Sequence, residues 1–106
     1  MIYEGQFERG FIGSIGKLLY PSGDIYYGQH KGFVKDGQGK IVYLNGSIYE
    51  GGWDNDKKSQ KGRMVDKVSG DIYWGDYFEG KRAGRGRMYY AAKGEVYEGE
   101  WVNDRR

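Results

Sequence analysis

His30 is the only histidine in a chain of 106 residues that carries 15 acidic residues and no cysteine. Metal or acid–base chemistry would require partners for it, and none stands at a useful spacing. It sits in an aromatic column, where a packed, hydrogen-bonded ring is expected. The carboxylates scatter over turns and polar strand positions, where Asp and Glu are usually just solvated. There is no Ser/His/Asp set and no nucleophile context. Without cysteine there are no disulfides, thiolate metal sites or thiol nucleophiles. Gly-x-Gly strings such as Gly37-Gln38-Gly39 precede no helix whose N-terminus would hold a phosphate. The expectation is a chain that is not an enzyme and uses no cofactor and no metal.

Binding chemistry is better represented, since aromatics make up 17% of the chain. Phe7, Tyr26, Tyr49, Trp53, Tyr73, Tyr77, Tyr97 and Trp101 recur in phase. Tyr and Trp anchor interfaces, so these rings are candidates for a groove that holds a peptide or helix of a protein partner. They are also the main apolar material for a core. The two uses are compatible, because a single-layer sheet leaves part of its apolar face uncovered. A second column is basic: Lys17, Lys40, Arg63 and Arg87, with Arg85 close by. It could meet acidic phospholipid headgroups, at about 1 kcal/mol per residue. It could instead pair across strands, Glu4 with Lys17 and Glu50 with Arg63. Lys40 and Arg87 face Tyr27 and Trp74, the latter suited to a cation–π contact. A net charge of +2 lacks the basic excess of a nucleic-acid binder.

The elements that carry these columns follow from a repeat. Units begin at Tyr3, Tyr26, Tyr49 and Tyr73, with a partial fifth at Tyr97. Thirteen residues after each full start stands a glycine: Gly16, Gly39, Gly62 and Gly86. A β-branched residue precedes each new start: Ile25, Ile48, Ile72 and Val96. Each unit reads as a hairpin. Its first strand is aromatic–x–Gly–x–aromatic, except that His30 takes the second aromatic place in unit two. A tight turn follows, as at Arg9-Gly10, Lys31-Gly32, Asn55-Asp56 and Glu79-Gly80. The second strand ends in a further turn such as Leu44-Asn45-Gly46-Ser47. The extra residue of units three and four falls in that second turn, where it leaves the strand faces unflipped. Pairing like faces sets Tyr3 against Leu18, Glu4 against Lys17 and Gly5 against Gly16. Glycine opposite glycine opens a gap in the Cβ layer, so rings of one unit are expected to rest on the bare backbone of the next. The expected fold is all-β, one elongated, curved antiparallel sheet of tandem hairpins over residues 1–106.

Tyr-Glu-Gly-Glu-Trp-Val-Asn-Asp at 97–104 resembles the opening of a MORN repeat, and Gly37-Gln38-Gly39 and Gly84-Arg85-Gly86 resemble its later Gly-x-Gly. The resemblance spans the chain as four full units and a fifth half-unit. Ser14 and Gln60 depart from the first glycine of that pattern, His30 from an aromatic and Asp66 from a tyrosine. The resemblance implies a twisted sheet with a groove, and a connector that links cytoskeletal, ciliary or membrane-associated structures. A regulatory appendage of an enzyme on a longer chain is a further implied role. A cytoplasmic location fits the lack of cysteine. No apolar run approaches the ~20 residues that span a bilayer, and no signal peptide is visible. The end strands, Ile2–Phe7 and Tyr97–Trp101, expose unpaired backbone and could join copies end to end.

Overall fold

The computed structural model describes the backbone of residues 2–5 and 14–106, and the side chains of residues 15–106. All of the described regular structure is strand. The strands are β1 (Ile2–Gly5), β2 (Ser14–Leu19), β3 (Ile25–Lys31), β4 (Val34–Val42), β5 (Ile48–Asp54), β6 (Lys57–Val65), β7 (Ile72–Phe78), β8 (Lys81–Tyr90) and β9 (Glu95–Trp101). They form one antiparallel sheet in strict sequence order, with β1 and β9 at its edges. The molecule measures 45 × 25 × 16 Å.

The register follows the glycines. Tyr3 faces Leu18, Glu4 faces Lys17 and Gly5 faces Gly16. The glycine pairs continue as Gly16–Gly28, Gly28–Gly39, Gly39–Gly51, Gly51–Gly62, Gly62–Gly75, Gly75–Gly86 and Gly86–Gly99. One bare line of backbone thus crosses the whole sheet. The hairpins close with two-residue turns. In Asn55-Asp56 and Glu79-Gly80 both residues have positive φ, the geometry whose twist matches the flanking strands. Asn103-Asp104 does the same, and beyond it Arg105 bridges back to Val102. The turn expected at Arg9-Gly10 lies outside the described residues.

Among the described residues, units two to five are tied in succession along one side of the sheet and units one to four along the other. On one edge, the Asp56, Gly80 and Asp104 amides donate to the carbonyls of Lys35, Lys58 and Arg82. On the other, Asp24, Ser47 and Asp71 side chains accept from the amides of Leu44, Lys67 and Ala91. A hairpin alone is marginal in water; these rungs, with the core, make each unit depend on its neighbours.

The expected placement of the rings needs one correction. Tyr26, Tyr49 and Tyr73 lie across Gly39, Gly62 and Gly86, glycines of their own hairpin, not of the next unit. The reason is reach. The tyrosine hydroxyl donates to a carbonyl three residues ahead on its own strand: Tyr26 to Gln29 at 2.5 Å, Tyr49 to Gly52 at 2.9 Å, Tyr73 to Asp76 at 2.8 Å and Tyr97 to Glu100 at 3.0 Å. The ring is thereby pinned flat over the glycine pair.

Candidate functional site

The second ring of each hairpin crosses between units. Trp53 stands edge-on to Tyr26 and Tyr49, with centroids 5.7 and 5.0 Å away. Its indole N–H donates to the Gly39 carbonyl of the previous unit at 3.0 Å. Tyr77 stands edge-on to Tyr49 and Tyr73, and Trp101 to Tyr73 and Tyr97. The seven rings form one unbroken edge-to-face ladder, each step adding about 0.5–1.5 kcal/mol beyond burial.

Four cations cap the ladder along its length. Lys35 Nζ lies 4.7, 5.9 and 5.0 Å from the Tyr20, Tyr26 and Trp53 rings. Lys58 lies over Tyr43, Tyr49 and Tyr77 at 5.4–5.8 Å. Arg82 lies over Tyr73 and Trp101, and Arg106 over Tyr90 and Tyr97. The aliphatic stems seal the rings while the charge meets the π-face. Asp56 pairs with Lys35 at 3.3 Å and Asp104 with Arg82 at 3.2 Å. At the equivalent place beside Lys58 stands Gly80, and burial holds that amine below the usual lysine range. Burial also pushes the Tyr43 and Tyr73 hydroxyls up to about 12, and those of Tyr26, Tyr49 and Tyr77 higher still.

The ring groove expected from sequence is therefore filled by the chain itself. Tyr26, Tyr49, Trp53, Tyr73, Tyr77 and Trp101 are each at most 6% exposed, and Tyr97 is half-buried. They are core, and the cation row forms the surface on this side. Phe7 lies outside the described residues. His30 is buried in the same column, and its Nδ1 lies 2.8 Å from the Gly32 carbonyl oxygen. The cation row was missed in the sequence, although Lys35, Lys58, Arg82 and Arg106 each fall nine residues after a unit start.

The opposite face carries two rows. One is apolar and crosses eight strands: Leu19, Ile25, Val42, Ile48, Val65, Ile72, Tyr89 and Val96. Beside it run Lys17, Tyr27, Lys40, Glu50, Arg63, Trp74, Arg87 and Glu98. The four predicted basic residues do share one row, but Glu50 and Glu98 interrupt it. Lys17 lies 5.5 Å from the Tyr27 ring. Arg85 stands beside the row and pairs with Glu100 at 3.3 Å. Lys61 pairs with Asp76 at 2.6 Å, a hydrogen bond that holds the Asp76 carboxyl below its usual range. Over β7–β9 the two rows frame a hollow of about 770 Å³, lined by Ile72, Trp74, Tyr89 and Val96 with Lys61, Arg85, Arg87 and Glu98 at its rim. Trp74 is 55% exposed there.

The MORN repeat family matches this chain over residues 3–25, 49–66, 73–94 and 97–106. No curated protein matches the chain.

Proposed function

The chain belongs to the MORN-repeat family, whose repeats occur in protein- and membrane-binding scaffolds and are generally non-catalytic, and from that premise we propose that it is a non-catalytic scaffold holding a protein partner across the face opposite the rings. The observation that carries this reading is the hollow over β7–β9, where Trp74, Tyr89 and Val96 stand exposed at an apolar centre. A large exposed aromatic next to arginines, inside a rim of both charge signs, has the make-up of an interface hot spot. Its partner is an extended segment with apolar side chains at the centre and carboxylates beside them, to meet Arg87. Attachment of cytoskeletal, ciliary or membrane-associated structures follows from the same role. The alternative is adsorption to acidic phospholipid through Lys17, Lys40, Arg63 and Arg87. The carboxylates interleaved in that row favour the protein reading.

A photo-reactive residue at position 74, cross-linked in cells, identifies the partner, and binding is then measured with both proteins purified. Trp74→Ser, with its circular dichroism unchanged, is expected to weaken binding about tenfold or more. Unchanged affinity removes the hollow from the interface. Salt-sensitive sedimentation with acidic vesicles, with no cross-linked protein, replaces this reading by the lipid one.

A further inference from the structure

In three of the four places where a cation caps the ring ladder, a tyrosine ending the preceding hairpin closes the cluster. Tyr20 lies against Lys35, and Lys35 Nζ donates to its hydroxyl at 3.1 Å. Tyr43 closes the cluster at Lys58, and Tyr90 the one at Arg106. The repeat assigns the same duty at Arg82 to residue 66, which is Asp66. Its Oδ1 is held by its own loop, accepting from the amides of Val68 and Ser69 at 2.9 and 3.2 Å. A cavity of about 250 Å³ stands where the ring would be, with Met64, Met88, Tyr73, Tyr77 and Arg82 in its wall. Arg82 does not collapse into it. Asp104 holds its backbone amide and Nε at 2.8 and 3.2 Å, and the Asp104 carbonyl holds its guanidinium at 2.9 Å.

We infer that this vacancy is a binding site for the tyrosyl side chain of a partner protein, which completes the fourth cluster as the chain's own tyrosines complete the other three. An apolar cavity of about 150 Å³ accepts benzene, so there is room for a phenol. Arg82 supplies the cation for the ring face, and the Met64 and Met88 thioethers supply sulfur–aromatic contacts. Asp66 and Asp71 also line the cavity and can accept a hydrogen bond from the phenol hydroxyl, which selects tyrosine over phenylalanine. Phosphotyrosine is rejected. Asp66, Asp71 and Asp104 outnumber Lys58 and Arg82 around the cavity, and a phosphate dianion against carboxylates is repelled.

The chain has three methionines, and the methyl resonances of Met64 and Met88, which both line the cavity, report on it. Titration of the full chain with N-acetyl-tyrosinamide is expected to move both resonances by ring current and to saturate. N-acetyl-leucinamide and phosphorylated N-acetyl-tyrosinamide are expected to leave them in place. Asp66→Tyr is expected to show the shifted positions without ligand and no further response. Trp74→Ser, which alters only the other face, is expected to respond as the unmodified chain does, so this site and the proposed partner hollow stand or fall separately. Methyl shifts that never saturate, or that follow the leucine or phosphorylated probe equally, overturn the inference, whatever the folding of Asp66→Tyr.

Discussion

A β-carbon on Gly39 would overlap the hydroxyl and ring carbons of Tyr26, and one on Gly62 or Gly86 would overlap Tyr49 or Tyr73 in the same way. These glycines keep negative φ and are needed for space alone. Gly32 is the opposite case, with φ of 62° and nothing within 4 Å of a built β-carbon. Gly39→Ala must expel a fully buried ring, so it is expected to cost at least about 3 kcal/mol. Gly32→Ala costs only the left-handed conformation, about 1–2 kcal/mol. Urea unfolding of the two variants checks the order. That rings lie over glycine was legible in the sequence, because both columns keep one period and glycine in a strand demands a reason, but which hairpin's glycines they cover was not. The roles of Lys35, Lys58 and Arg82 were not. Between Gly51 and Trp53 strand β5 advances two residues, while β6 advances four, from Gly62 to Lys58. The bulge there slips the pairing, so that Trp53 meets Lys58 where an unbroken ladder counted from the glycines would set it against Gln60. It also places Gln60 at φ 61°, where the other units use Gly37 and Gly84 at 100° and 82°, so the Gln60 departure is one of backbone strain.

At the scale of the hairpin, cohesion between units falls largely on the second ring. Trp53 wedges between Tyr26 and Tyr49 and bonds the Gly39 carbonyl. Trp101 occupies the matching place in the last unit, but its buried indole N–H has no partner among the described residues. Trp53→Phe keeps a wedge and orphans a carbonyl, so it is expected to cost about 1–3 kcal/mol more than packing loss alone. Trp101→Phe loses no hydrogen bond and is expected to cost less. Thermal or urea unfolding of both variants decides it; equal losses would show that the indole bond contributes nothing. The face that offers a hollow was hidden in the sequence for a related reason. Ile25, Ile48, Ile72 and Val96 were visible as a column, but Val42, Val65 and Tyr89 join them only through pairing between strands.

Across the whole molecule the ring ladder makes tyrosine ionisation a collective event. Burial raises the hydroxyls of Tyr26, Tyr43, Tyr49, Tyr73 and Tyr77 above their ordinary value of 10.0. Below pH 10 these groups are neutral in both states, and their contribution is fully present. Above it the unfolded chain ionises first and the folded one resists, so stability is lost as pH rises from about 10 toward 12 and beyond. Tyrosinate absorbance is expected to rise in one cooperative step coincident with loss of strand dichroism. A gradual rise with the dichroism intact would mean the rings are open to solvent. The order of strands was fully legible, since a repeat of hairpins leaves no other simple topology. Which rings are sealed was not, because that depends on Lys35, Lys58 and Arg82 reaching across from the starts of β4, β6 and β8.

Since every strand bonds only to the strands before and after it in sequence, a pull applied at the two ends loads the sheet one seam at a time. Backbone bonds then part in succession, as in a zipper, and not all at once in shear. The molecule gives way as a series of soft, nearly equal steps, each pair of seams paying out one unit of about 23–24 residues, or on the order of 80 Å of extended chain. It is a compliant tether, not a strut.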